Sequence, residues 1–97
     1  MIRKYQPDIV LANAPNDRHP DHGKAASLAK DACYYAGLVK IETMLDGQVQ
    51  QAWRPKKIFN YIQDQYLEPD FIIDISDVID QKMDCILAFK SQFLDDE

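Results

Sequence analysis

The sequence has little of what commits a chain to a membrane, a nucleic acid or an oxidising compartment. No apolar run approaches the roughly 20 residues needed to cross a bilayer, and Met1 to Asp8 has no signal-peptide core. There are 11 Lys and Arg against 16 Asp and Glu, for a net charge of −5. The basic residues are dispersed, with Arg3-Lys4 and Lys56-Lys57 as adjacent pairs, so the basic stripe that phosphate binding needs is missing. The two cysteines, Cys33 and Cys85, lie far apart with no CxxC spacing; both are expected to be small buried apolar residues rather than disulfide partners or metal ligands. Neither a nucleic-acid partner nor a membrane is expected, and a cytoplasmic location follows as the default.

What is present suffices for one domain. Apolar residues make up 46% of the 97, too many for a disordered chain, and the length leaves no room for a second core. Lys4 to Asp8 reads as the end of a helix and a turn, and Ile9-Val10-Leu11-Ala12 as a short parallel strand buried on both faces. Asn13 to Asp21 reads as a loop. From His22, Ala25, Leu28, Ala29, Ala32, Cys33 and Ala36 follow the spacing of one helical face, with Gly37 as the stop. Asp21 is placed to cap that helix.

Asp46-Gly47 marks a hairpin turn, and Pro55 excludes a central strand around it. Ile58 to Ile62 and Phe71 to Ile75 read as further strands. Ser76 or Asp77 can cap a last helix with Ile79, Met83, Ile86, Leu87, Phe93 and Leu94 on its apolar face, and Asp95-Asp96-Glu97 reads as a solvated tail. The order predicts an α/β fold with a mainly parallel sheet and flanking helices. A first strand apolar on both sides needs neighbours on both edges, and few candidate strands remain to supply them. A preceding segment is therefore expected, or a second copy of the chain covering that edge as a homo-oligomer.

The chemistry-bearing residues cluster in one loop. Both histidines, His19 and His22, flank Asp21 at the carboxyl end of the first strand, where open α/β sheets bind ligands. Two imidazoles and a carboxylate suffice in type for a catalytic zinc, yet residues so close together, stiffened by Pro20, are not expected to reach one ion unaided. The competing reading is two surface histidines with Asp21 as a helix cap. Arg18 can clamp a substrate carboxylate or stand as a solvated loop arginine. Asn16 and Asp17 read as turn formers, and Met44, Trp53, Tyr34, Tyr35, Tyr61 and Tyr66 as packing residues.

The run Pro7-Asp8-Ile9-Val10-Leu11-Ala12-Asn13 followed by Asp17-Arg18-His19-Pro20-Asp21-His22 resembles the second signature of LmbE-like (PIG-L) deacetylases. Trp53-Arg54-Pro55-Lys56, Glu68-Pro69-Asp70-Phe71 and Phe89-Lys90-Ser91-Gln92-Phe93 resemble the bacillithiol-biosynthesis branch. The resemblance implies a Rossmann-like fold, of which residues 1–97 would form the carboxyl-terminal part of a single domain. It also implies a Zn2+-dependent hydrolase that removes the acetyl group from an N-acetyl amino-sugar conjugate, N-acetylglucosaminyl malate in that branch. His22 would be a zinc ligand, His19 would stabilise the oxyanion as a charged imidazole, Asp21 would orient a histidine, and Arg18 would meet the malate carboxylates. The family's first signature, an AHPDDE-like motif that supplies the remaining ligands and the base, has no counterpart in this sequence. The chain alone is thus expected to be inactive, and a non-catalytic sugar-binding or assembly module is the alternative.

Overall fold

A computed structural model describes residues 1–93, so Leu94 and the tail Asp95-Asp96-Glu97 lie outside the described residues. Helix α1 (Ile2–Tyr5) ends at Gln6, whose left-handed backbone (φ 49°) turns the chain into strand β1 (Ile9–Ala12). Helix α2 (Pro20–Ala36) follows the loop and ends at Gly37. Strands β2 (Met44–Leu45) and β3 (Gln48–Val49) form an antiparallel hairpin. Its turn residues Asp46 and Gly47 both take positive φ, 52° and 78°, the geometry for which an Asp-Gly pair is suited. Strand β4 (Lys57–Asn60) lies parallel to β1 in the register Ile9 to Lys57 through Ala12 to Asn60, making an α/β unit with α2 in the crossover. A short 3-10 turn (Ser76–Val78) leads into α3 (Ile79–Leu87), and α4 (Lys90–Phe93) closes the described chain. Among the described residues no helix is long and apolar enough to cross a membrane.

Several expectations are corrected. Strand β1 is not buried on both faces: Ala12 is buried, but Ile9 and Leu11, which share the opposite face, are exposed. Phe71 to Ile75 is not a strand, since no described strand lies alongside to complete its ladder, and Ile72 is 82% exposed. Leu28 faces outward, while Ala26 and Cys33 form the buried side of α2. Burial pushes the Cys33 thiol up, whereas Cys85 is exposed. The last helix is broken after Leu87. Its entry is set by Asp74, whose carboxylate accepts from the Ser76 amide and hydroxyl and is held below the usual carboxylate range by them, rather than by a side-chain cap from Ser76 or Asp77.

Two side chains tie the layers together. Arg3 is buried and donates from Nε to the Ala36 carbonyl at 2.9 Å, from Nη2 to that of Leu38 at 2.8 Å, and from Nη1 to the Ile41 carbonyl and the Thr43 hydroxyl at 2.6 and 2.9 Å. It thereby adds a charged donor to the last carbonyl of α2 and to two carbonyls just beyond it, and anchors the approach to the hairpin. Trp53 donates from its indole to the Pro7 carbonyl at 2.8 Å, a packing role as expected. Met44 and the four tyrosines named with it stand exposed.

Candidate active site

The loop between β1 and α2 is held by the loop that follows β4. Asn60 Nδ2 donates to the Asn13 carbonyl at 2.8 Å, and Asn13 Nδ2 and the Ala14 amide both donate to Gln63 Oε1, at 3.2 and 3.0 Å. Parallel pairing of β1 and β4 brings both loops out at the same carboxyl edge. Residues nearly fifty positions apart therefore build one surface.

Asp17 is the junction of that surface. One carboxylate oxygen, Oδ1, accepts from the Asp64 and Gln65 amides at 3.1 and 2.6 Å, and the other, Oδ2, lies against His22 Nδ1. Its side chain has no solvent exposure. The Gln65 amide, more than any other group, holds the carboxyl down at about 2; His22 and the Asp64 and Arg18 amides add to this against the opposing effect of burial. A carboxylate whose folded pKa is depressed adds stability that is complete above the ordinary carboxylate range and is lost as pH falls towards 2. Across neutral pH Asp17 is an anion, which can only accept hydrogen bonds, so the hydrogen between it and His22 belongs to the ring.

His19 has the opposite arrangement. It is the N-cap of α2, with φ −88° and ψ 126°, and its Nδ1 accepts from the Asp21 amide at 3.1 Å. A neutral ring that accepts at Nδ1 carries its hydrogen on Nε2. The cap thus uses the Nδ1 lone pair and leaves Nε2 as the donor. Pro20 occupies the first helical position, where its fixed φ and missing N–H cost nothing, so the helix starts two residues earlier than it would with Asp21 as its cap. The two rings lie 5.3 Å apart between centroids and are inclined by 31°. Gly23 lets this first turn approach the loop, since a Cβ there would stand 3.1 Å from the Pro15 carbonyl oxygen.

Asp21 is not the cap, and its carboxylate is 3.8 Å from His19 Nδ1, beyond hydrogen-bonding distance. The carboxylate that touches a histidine is that of Asp17. Arg18 Nε pairs with Asp64 Oδ2 at 2.9 Å, while its side chain is 80% exposed at the rim. Asp17, read from the sequence as a turn former, acts instead through its carboxylate, and its position five residues before a first-turn histidine is the one sequence signal of its contact with His22. Gln63, Asp64 and Gln65 gave no signal, because their partners are long-range.

The donor set suits a metal in one respect. His22 is held at Nδ1 by a carboxylate, as metal-bound imidazoles are, and the ring is 31% exposed, so Nε2 can be reached. Among the described residues no three His, Cys, Asp or Glu side chains converge to hold an ion, so those residues offer a ligand position and not a shell.

The chain is 34% identical over 104 aligned positions to the diacetylchitobiose deacetylase of Thermococcus kodakarensis, an alignment covering 99% of this chain and 36% of that protein. The crystal structure of a conserved protein from Thermus thermophilus matches with a TM-score of 0.79 at 38% identity, over 95% of this chain and 40% of that one. The chain therefore spans well under half the length of either protein. No protein-family model matches it.

Proposed function

Starting from the likeness to a deacetylase across nearly the whole chain, we propose that these residues are the carboxyl-terminal part of a single LmbE-like domain, Rossmann-like and cytoplasmic. Its reaction is removal of the acetyl group from an N-acetylglucosamine-type conjugate, with Zn2+ as cofactor. One observation carries this reading: the carboxyl edge of the parallel strands presents two adjacent imidazoles in opposite hydrogen-bonding states.

In this reading His22 contributes one zinc ligand through Nε2. Bound zinc supplies polarisation of the amide carbonyl and a lowered pKa for its water. His19, held as a donor at Nε2 by the helix cap, gives a hydrogen bond to the oxygen of the scissile amide as negative charge develops there. Asp21, exposed in the first turn, adds negative charge near the helix start, and its carboxylate, unlike its amide, makes no hydrogen bond to His19. Arg18, at the rim, recognises an acidic aglycone, which makes the malate conjugate of bacillithiol biosynthesis the substrate of first choice.

The test is zinc content together with acetate release from N-acetylglucosaminyl malate and from diacetylchitobiose, using the full-length protein. Stoichiometric zinc with turnover of the malate conjugate is the expected result. Turnover of diacetylchitobiose alone would remove the acidic-aglycone assignment, and turnover of neither would overturn the deacetylase reading.

A further inference from the structure

The strongest unassigned feature is the fully shielded carboxylate of Asp17, which has three partners, one in the first turn of α2 and two in the loop after β4. We infer that Asp17 is a positioning residue: its Oδ2 takes the Nδ1 hydrogen of His22 and leaves the Nε2 lone pair turned outward, while its Oδ1 ties that ring to the Asp64–Gln65 backbone. The inference rests on the deacetylase reading only for the identity of the ion that uses the lone pair. The hydrogen's position is a property of the metal-free protein.

Three observations converge on this role. The carboxylate accepts two backbone amides through one oxygen, so turning away from the ring would give up both of those hydrogen bonds as well. Arg18, the next residue, pairs with Asp64, so the same two loops are joined again at the rim. Ala14 and Asn13 join them a third time through Gln63. The ring of His22 is thereby fixed in both orientation and hydrogen placement, the two properties a carboxylate supplies to a metal-bound imidazole.

Asp17→Asn is the informative variant. An asparagine keeps an oxygen for the Asp64 and Gln65 amides but presents an N–H group to Nδ1, which forces the hydrogen onto Nε2 and removes the outward lone pair. Long-range 1H–15N correlation of the metal-free full-length protein, above the ordinary titration range of histidine, reads the tautomer directly. Titration with Zn2+ against a chelator reads the lone pair.

The wild type should show His22 as the Nδ1–H tautomer, and Asp17→Asn should show Nε2–H with zinc affinity lower by roughly 10- to 100-fold. Asp17→Glu, which restores a carboxylate, should recover the wild-type tautomer. A wild-type His22 carrying its hydrogen on Nε2 overturns the inference, and that measurement stands even if the variants fold poorly. A tautomer that does not respond to Asp17→Asn in a folded protein overturns it as well. If the tautomer switches but the wild type binds no zinc, the positioning role holds and the deacetylase reading falls.

Discussion

An imidazole offers a hydrogen or a lone pair at each nitrogen, and which one it offers is decided by what holds the other. His19 and His22 are three residues apart, yet one is held by a backbone donor and the other by a carboxylate acceptor. Their outward nitrogens therefore differ, and so should their variants in the deacetylase proposed above. His22→Ala should lose zinc, read by metal analysis of the purified protein. His19→Ala should keep zinc but lower kcat by roughly 10²- to 10³-fold, the usual effect of removing one oxyanion donor. Equal zinc loss in both would contradict the division. Arg18→Ala should raise KM for an acidic conjugate about tenfold, equivalent to one charge-assisted hydrogen bond of ~1.5 kcal/mol, and leave a neutral N-acetyl sugar unaffected. The sequence made His19, His22 and Arg18 legible as a cluster because they are contiguous. It could not separate Asp17 from Asp21, because both are aspartates near a helix start and only the folded loop shows which one faces a ring.

Local chemistry was a reliable guide to elements whose hydrogen bonds close within themselves. Helix α2 and the Asp46-Gly47 hairpin are of this kind. Gly47→Ala tests the hairpin cleanly: nothing lies within 4 Å of where a Cβ would stand, so the cost is the positive φ of 78° alone, roughly 1 kcal/mol by denaturant unfolding. A strand is different, because its groups must be paired by another element. Phe71 to Ile75 has the composition of a strand and no described partner, and β1 has one partner where its apolar run suits two. Arg3 was equally illegible, since its four acceptors lie 33 to 40 positions away. Replacing Arg3 with Met should cost roughly 2–4 kcal/mol of unfolding free energy, because the acceptors it serves lose a charged donor in a partly buried site. Arg3→Lys should recover only part of this, because a single ammonium cannot span acceptors that the fork of a guanidinium reaches together. A variant as stable as the wild type would show that water replaces the guanidinium without loss.

Taken as a whole, the described molecule buries little. Its buried apolar residues are Ala12, Ala14, Ala26 and Cys33, and no large apolar side chain is fully enclosed. Burial of an alanine withdraws far less apolar surface than burial of a leucine or phenylalanine, so these four contribute little of what offsets chain entropy. The radius of gyration, 16.9 Å, exceeds the roughly 13 Å of a compact chain of this length. Large apolar side chains are exposed along β1 and through residues 71–73, with Leu11 at 70% and Ile72 at 82%. Patches of this kind on a soluble chain mark surfaces that are covered in the working protein or that associate. The 97 residues expressed alone should therefore bind a hydrophobic dye such as ANS, scatter light as a species larger than a monomer, and melt without a sharp transition. A longer LmbE-like domain containing these residues, as proposed above, should do none of these, and should protect the β1 amides from hydrogen exchange far more strongly than the isolated 97 residues do. A cooperative, dye-silent monomer of the 97 residues would mean that α2, the Arg3 latch and the loop network around Asp17 suffice to hold the fold, and that the exposed strand face is an ordinary solvated surface.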